Sequence, residues 1–228
     1  MKAYRDEKNK FFEELMRNKN KYKSRNVADY YNKLYTDDER AFVGEPLPLV
    51  KRLTEYIKSG DVLEVGAGGG RNSIYLAHLG FKVTATDISP VSIKNIKRLT
   101  TREHIALKTA VFDISKNALA HRYDAIICTF TLHHLRADDA ISTIKKIQRN
   151  TKPSGFNLIT TFTKNGDFYK SNPNTPNFYL DSKAQLKKLY KGWKILRIFE
   201  KNGKARALDA TGRPQFNVFV GLLAHKIK

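Results

Sequence analysis

The sequence predicts an α/β fold in which a mostly parallel sheet carries helices on both faces. Three observations lead there. Short, near-continuous apolar runs alternate with helical periods between residues 61 and 162. A run of glycines joins the first apolar run to the helix after it, and acidic residues stand at the ends of the next runs. Strands buried on both faces need continuous apolar character, and helices between them are the usual crossovers of parallel strands.

Residues 1–26 are polar, with Phe11, Phe12, Leu15 and Met16 at helical spacing. They read either as a helix laid on the domain or as a basic arm. Tyr30, Tyr31, Leu34 and Tyr35 begin a second helical pattern, which Gly44-Glu45-Pro46-Leu47-Pro48 breaks. Residues 1–44 are therefore read as a helical extension and 45–228 as the main domain. Leu49 to Ile57 form a helix that ends near Gly60. Asp61 to Val65 is the first strand, Gly66 to Gly70 a glycine loop, and Asn72 to Leu79 a helix closed by Gly80. Phe81 to Thr86 is the second strand, ended by Asp87, and Ser92 to Leu99 is helical. Ala106 to Phe112 and Tyr123 to Thr129 are the third and fourth strands. Ala137 to Asn150 is a helix, and Phe156 to Phe162 the fifth strand. Lys164 to Asp181 is rich in Asn, Pro and Gly and has no period, as expected of a functional lid or of a disordered segment. A helix ends at Tyr190. Lys194 to Glu200 and Phe216 to Leu223 follow as two strands with no helix between them, which predicts an antiparallel pair at the sheet edge.

Of the 228 residues, 41% are hydrophobic, enough for a packed core. No run approaches the roughly 20 apolar residues of a membrane helix, so no membrane partner is expected. The single cysteine, Cys128, rules out an intramolecular disulfide and reads as a small buried thiol in the run Ala125 to Cys128. The N-terminus lacks an apolar signal region, and Asp6, Glu7, Glu13 and Glu14 are unlike an acid-poor transit peptide, so a reducing cytoplasm is the expected location. The net charge is +20, and residues 151–228 hold 15 basic against 4 acidic side chains. That field favours an anionic partner, nucleic acid included.

The chemistry starts at Gly66-Ala67-Gly68-Gly69-Gly70, which leaves a strand and enters a helix. Glycine there permits a sharp turn and close backbone approach to a ligand. Asp87 ends the next strand 21 residues after Gly66, where a carboxylate accepts hydrogen bonds from both ribose hydroxyls of a nucleoside cofactor. Asp113 ends the third strand, in reach of an adenine amino group. Glu64 lies inside an apolar strand just before the loop, and its charge needs a partner, such as a cofactor's ammonium group. The dinucleotide fingerprint Gly-x-Gly-x-x-Gly fails because position 71 is Arg. An acidic Glu64 repels a pyrophosphate and attracts a methionine ammonium, which favours S-adenosylmethionine over NAD.

Glu64-Val65-Gly66-Ala67-Gly68-Gly69-Gly70 resembles the first motif of class I methyltransferases, and Leu132-His133-His134-Leu135 and Lys152-Pro153-Ser154-Gly155 match later landmarks of that superfamily. The resemblance implies a Rossmann-like, seven-stranded sheet with an antiparallel last strand. It implies cofactor contacts at Glu64, Gly66, Gly68, Gly70, Arg71, Asn72, Asp87, Ile88, Asp113, Ile114, Thr129 and Phe130. Gly70-Arg71-Asn72-Ser73-Ile74-Tyr75-Leu76-Ala77, Tyr190-Lys191-Gly192-Trp193 and Asp209-Ala210-Thr211-Gly212 further resemble the tellurite-resistance methyltransferases, which act on tellurite and selenite. That family carries a His-Arg pair before its Asp-Ala-Asn-Gly turn and an Arg after it. Here the positions read Arg206-Ala207 and Arg213, so the histidine is missing while two arginines can still meet an anion.

The reaction that this implies is in-line methyl transfer, in which alignment and exclusion of water do most of the work. A soft nucleophile needs no general base, and His133 and His134, on a loop that abuts the crevice, are the candidates where one is used, His133 first. Methylation of exocyclic amines usually shows Asn/Asp-Pro-Pro-aromatic after the fourth strand, whereas this chain has Thr129-Phe130-Thr131-Leu132. RNA ribose or ring nitrogens stay open as acceptors, with Lys187, Lys188, Lys191 and Lys194 around Trp193 as phosphate contacts. A cofactor- or RNA-binding protein without catalysis is the third reading. Phe168, Tyr169, Phe178 and Tyr179 are expected to close over a small acceptor.

Overall fold

The computed structural model describes residues 24–39, 41, 43–208 and 213–227, without the side chains of 24–26 and 205–208. The helical spacing at Phe11–Met16, the turn Asp209–Gly212 and the side chain of Arg206 lie outside the described residues. Two helices, α1 (Ser24–Asp37) and α2 (Pro48–Tyr56), precede the sheet. The alternation then runs β1 (Asp61–Val65), α3 (Arg71–His78), β2 (Lys82–Asp87), α4 (Pro90–Arg102), β3 (Lys108–Val111), β4 (Tyr123–Thr129), a 3-10 turn at Leu132–His134, α5 (Ala137–Arg149) and β5 (Thr151–Phe162). Short helices α6 (Asp167–Ser171) and α7 (Lys183–Leu189) lead to the hairpin β6 (Lys194–Leu208) and β7 (Pro214–His225).

The seven strands lie in the order β3-β2-β1-β4-β5-β7-β6. The first five are mutually parallel, and β7 is antiparallel to both its neighbours. Successive side chains of β4 explain the continuous apolar runs. Ala125 and Ile127 face one side, with Leu49, Val50 and Leu53 of α2 and Leu76 of α3. Ile126 and Cys128 face the other, with Ala140, Ile144 and Ile147 of α5 and Leu186 of α7. Both faces are thus covered, as the composition of the strands requires. Cys128 is buried, and burial pushes its thiol up to about 12, so it is inert.

Four boundaries differ from expectation. Strand β5 begins at Thr151 rather than Phe156. Tyr123 pairs with Thr151 and Ala125 with Phe156, so Lys152 to Gly155 form a bulge. Ser154 takes a positive φ of 60° there, and Lys152 bonds Asp124 at 2.9 Å. Strand β3 is shorter than the run from Ala106 to Phe112, because at the edge it pairs only with β2. The hairpin strands are longer than expected. They continue pairing past Phe162, the last residue of β5, so the hairpin overhangs the C-terminal edge of the parallel strands. Finally, the segment from Lys164 to Asp181 is not structureless. It contains α6, and short bridges tie Asn177 to Arg136 and Leu180 to Thr163.

Candidate functional site

The chain leaves β1 and turns sharply into α3. Gly66, Gly68 and Gly70 all have positive φ, at 72°, 59° and 81°, a region costly for any residue with a Cβ. Gly66 has a second constraint: a Cβ there would lie 2.1 Å from the Thr131 hydroxyl oxygen. Thr131 follows β4, so the loops after β1 and β4 touch at this glycine. The loop is also tied to β2. Asp87 Oδ2 accepts from the Gly68 N–H at 2.9 Å, and its Oδ1 accepts from the Ser89 N–H at 2.9 Å. Burial nevertheless raises the pKa of Asp87 against those two backbone donors. Ser89 caps α4 by accepting from the Ser92 N–H, and Ser92 Oγ donates to the Gly68 carbonyl at 2.6 Å.

Glu64 is buried on the α3 side of β1. Its Oε1 accepts from Asn72 Nδ2 at 2.8 Å and its Oε2 from Ser73 Oγ at 2.5 Å. The sequence offered a cofactor ammonium as partner for this buried charge. The structure instead supplies two donors from the first turn of α3, so Glu64 pins that turn in place. Asn72 extends the tie: its Oδ1 accepts from the Leu47 N–H, and its Nδ2 lies 3.4 Å from Thr129 Oγ1. Burial pushes Glu64 up from its ordinary 4.5 to about 7, against the hydrogen bonds from Ser73 and Asn72. The folded state therefore keeps a proton that the unfolded chain releases within that window, and stability falls as pH rises through it. Relative to Glu64→Gln, the wild-type protein is expected to lose about 3 kcal/mol of stability across the window. Urea unfolding of both proteins at a series of pH values checks this; equal slopes would mean that Glu64 ionises freely in the fold.

The remaining predicted positions fall in two groups. Ile88 and Asp113 follow β2 and β3, both half-buried, and Asp113 accepts from the N–H and hydroxyl of Ser115. Ile114 is buried in the core under α5. Arg71 opens α3 and lines a groove with Gly69 of the loop and with Asn95 and Arg98 of α4. Thr129 is buried at the end of β4. Phe130 follows it at a positive φ of 52°, with its N–H on Thr160, and its ring meets Phe162 at 5.3 Å and Phe219 at 5.4 Å. A bulky residue held in that conformation is strained backbone, which concentrates at functional sites.

His133 joins this aromatic wall, 4.4 Å from Phe162 and 3.9 Å from the ring of His134. It is 8% exposed, and its Nδ1 has no hydrogen-bond partner among the described residues. Burial holds His133 well below the usual histidine range and takes His134 down to about 4, so both imidazoles are neutral at physiological pH. Tyr179 packs within 6.5 Å of His133 and is itself covered by Phe168 and Tyr169. Tyr179 thus links Phe168 and Tyr169 to the wall, whereas Phe178, expected to close over the acceptor, is buried in the core cluster on the α5 face. Arg213 is exposed at the start of the β7 side of the hairpin, and Arg206 lies on β6 opposite, where the hairpin overhangs the same end of the sheet.

Sequence reasoning missed Thr131, Ser92, Tyr31 and Asn32. None carries a motif signal, because each acts through a partner distant in sequence. Tyr31 OH and His134 Nε2 are 2.7 Å apart, and Asn32 Oδ1 accepts from Ser89 Oγ at 2.6 Å. Among the described residues there is no cluster of three metal-ligating side chains, and no helix is long and apolar enough to cross a membrane.

A sequence model of the tellurite resistance protein TehB family matches residues 25–223. The chain belongs to that family. The probable S-adenosyl-L-methionine-dependent methyltransferase TehB of Haemophilus influenzae strain 10810 is 31% identical over 198 residues, which cover 87% of this chain and 66% of that protein. Hemagglutinin 1 of Eikenella corrodens is 30% identical over 177 residues, 78% of this chain and 58% of its own length. The crystal structure of TehB from Haemophilus influenzae superimposes with a TM-score of 0.71 at 28% identity, covering 87% of this chain and 66% of that one. This chain thus spans about two thirds or less of the length of these relatives. Its seven-stranded sheet with antiparallel β7 is the class I methyltransferase fold, as the resemblance implied.

Proposed function

We propose that this chain is an S-adenosylmethionine-dependent methyltransferase acting on a small soft or anionic nucleophile of the tellurite, selenite or thiol type. The observation that carries the reading is the tie between the glycine loop and Asp87. It holds a carboxylate at the end of β2, beside a loop whose Gly66 leaves no room for a Cβ. When bound, the cofactor supplies a methyl carbon that a nucleophile takes in line as the carbon–sulfur bond breaks. Asp87 accepts from the Gly68 and Ser89 N–H groups, one on each oxygen, and lone pairs remain for the ribose hydroxyls. Asp113 is assigned to the adenine end, with Ile88 and Ile114 beside it. Glu64, Asn72 and Thr129 hold the start of α3, Glu64 acts through Asn72, and Arg71 is assigned to the cofactor from its place beside Gly69.

On the acceptor side, Phe130, Phe162, Phe219 and His133 exclude water and restrict the approach. Such a wall with a neutral imidazole suits a polarisable lone pair that needs no base. Arg206 and Arg213 are assigned to the negative charge of an anionic acceptor. Residues 1–44 are read as a helical extension and 45–228 as the catalytic domain.

The test is a radiolabelled methyl-donor assay with tellurite, selenite, a small thiol and RNA as separate acceptors. Label in a small or volatile product is expected. Label in RNA alone would move the assignment to an RNA methyltransferase, and cofactor binding without labelling of any acceptor would make the protein a binding module.

A further inference from the structure

We propose that α1 is a strap across the cofactor crevice and that Tyr31 is a positioning residue for methyl transfer; this rests on the methyltransferase reading above. The sheet order places β1 between β2 and β4. The glycine loop leaves β1, so a segment fastened beyond both β2 and β4 must cross it. Helix α1 is fastened in that way by two adjacent residues. Asn32 accepts from Ser89, two residues after Asp87, on the β2 side. Tyr31 bonds His134 on the β4 side, and its ring meets that imidazole edge-on at 5.2 Å. His134 stacks in turn on His133, so Tyr31 reaches the aromatic wall through one intermediate ring.

The rest of α1 is anchored on α4. Asn95 Nδ2 donates to the Tyr35 carbonyl at 2.9 Å, and Arg98 pairs with Glu39 just past the end of the helix. Its apolar footing is a small cluster of Leu34, Tyr35 and Ala41 with Tyr30, Tyr31 and Val91, separate from the two clusters on the sheet faces. A segment held by a small satellite cluster opens at lower free energy than the sheet. The α4 contacts therefore form the pivot and the Tyr31–His134 bond the latch. The strap lifts for the cofactor to enter, and when it is down Tyr31 sets the orientation of the His133–His134 turn.

The experiment uses the full chain as wild type, Tyr31→Phe, Asn32→Ala and the double variant. Tyr31→Phe keeps the ring and removes only the hydroxyl, so it decides the question if the double variant fails to fold. Two readouts are taken: hydrogen exchange of the ligand-free protein over residues 87–92 and 129–135, and association and dissociation rates of S-adenosylhomocysteine. Exchange is expected to quicken in both segments. Dissociation in the double variant is expected to speed up about tenfold, the scale of two lost hydrogen bonds. Association speeds up as well, so that affinity changes less than either rate. In turnover, Tyr31→Phe lowers kcat by a larger factor than it changes KM for the methyl donor. Unchanged exchange and unchanged rates would overturn the strap and leave the methyltransferase reading standing. Quickened exchange in a protein that binds no S-adenosylhomocysteine would overturn that reading and leave the strap in place.

Discussion

Asp87→Ala is expected to weaken S-adenosylmethionine binding by at least about 100-fold, because on the proposed reading it removes two charge-assisted hydrogen bonds to the ligand, each worth about 1.5–3 kcal/mol. The loss has a second component. Asp87 also receives the Gly68 and Ser89 N–H groups, so the alanine variant unties the glycine loop from β2 and frees the start of α4. Asp87→Asn keeps one carbonyl acceptor and is expected to fall between the two. Calorimetric titration measures both. Affinity unchanged in the alanine variant would remove Asp87 from the site and take the cofactor assignment with it.

The second large effect is expected at Gly66. An alanine there must adopt a φ of 72°, which costs about 1–2 kcal/mol for an L-residue. Its Cβ also meets Thr131, at 2.1 Å from Oγ1 and 2.9 Å from Cγ2, and overpacking of this kind costs about 1–3 kcal/mol. Gly66→Ala is therefore expected to destabilise the fold by about 3 kcal/mol and to displace the loop that approaches the cofactor. The clash and the strained backbone are separable. Combining Gly66→Ala with Thr131→Ala removes the two closest atoms and leaves the Cβ at 3.0 Å, so the double variant should recover most of the steric part and retain the φ penalty. Denaturant unfolding of the single and double variants gives the coupling energy. Simple additivity would show that the loop after β4 does not press on Gly66.

These two residues were legible in the sequence for a physical reason. Gly66 and Asp87 act through local geometry, a turn needing positive φ and a strand end, and such geometry leaves a pattern in residue type and spacing. The alternation of apolar runs was legible for the same reason, since a strand covered on both faces has no polar side to show. Glu64 was legible only by half. A charge inside an apolar strand announces a partner, but Asn72 and Ser73, on the following helix, are chosen by how α3 folds back over β1. The contacts of Tyr31 and Asn32 left no trace beyond the helical period of Tyr31, because their partners lie 103 and 57 residues away. The bulge at Lys152 to Gly155 and the outer half of the hairpin were hidden differently. Lys201, Asn202, Gly203 and Lys204 belong to an edge strand, and an edge needs no burial and tolerates the charges that usually mark a loop.

The hairpin also sharpens the meaning of the basic C-terminal third. Its cations are spread over α7, the exposed edge of β6 and the overhang that carries Arg206 and Arg213, while the crevice itself is lined by glycine, carboxylates and aromatics. The excess is divided between the two edges of the sheet: Lys194 lies opposite His225 and Lys226 bonds the Gln148 and Thr151 carbonyls at the N-terminal edge of the parallel strands, while the overhang stands at the end that carries the glycine loop.

On the proposed reading, the crevice between the glycine loop, Asp87 and Thr129 is built for S-adenosylmethionine. The most direct test of that reading is equilibrium titration of the wild-type chain with S-adenosylhomocysteine and, separately, with NAD. Saturable binding of one S-adenosylhomocysteine per chain and no binding of NAD is the expected result. Saturable binding of NAD with none of S-adenosylhomocysteine would contradict the account.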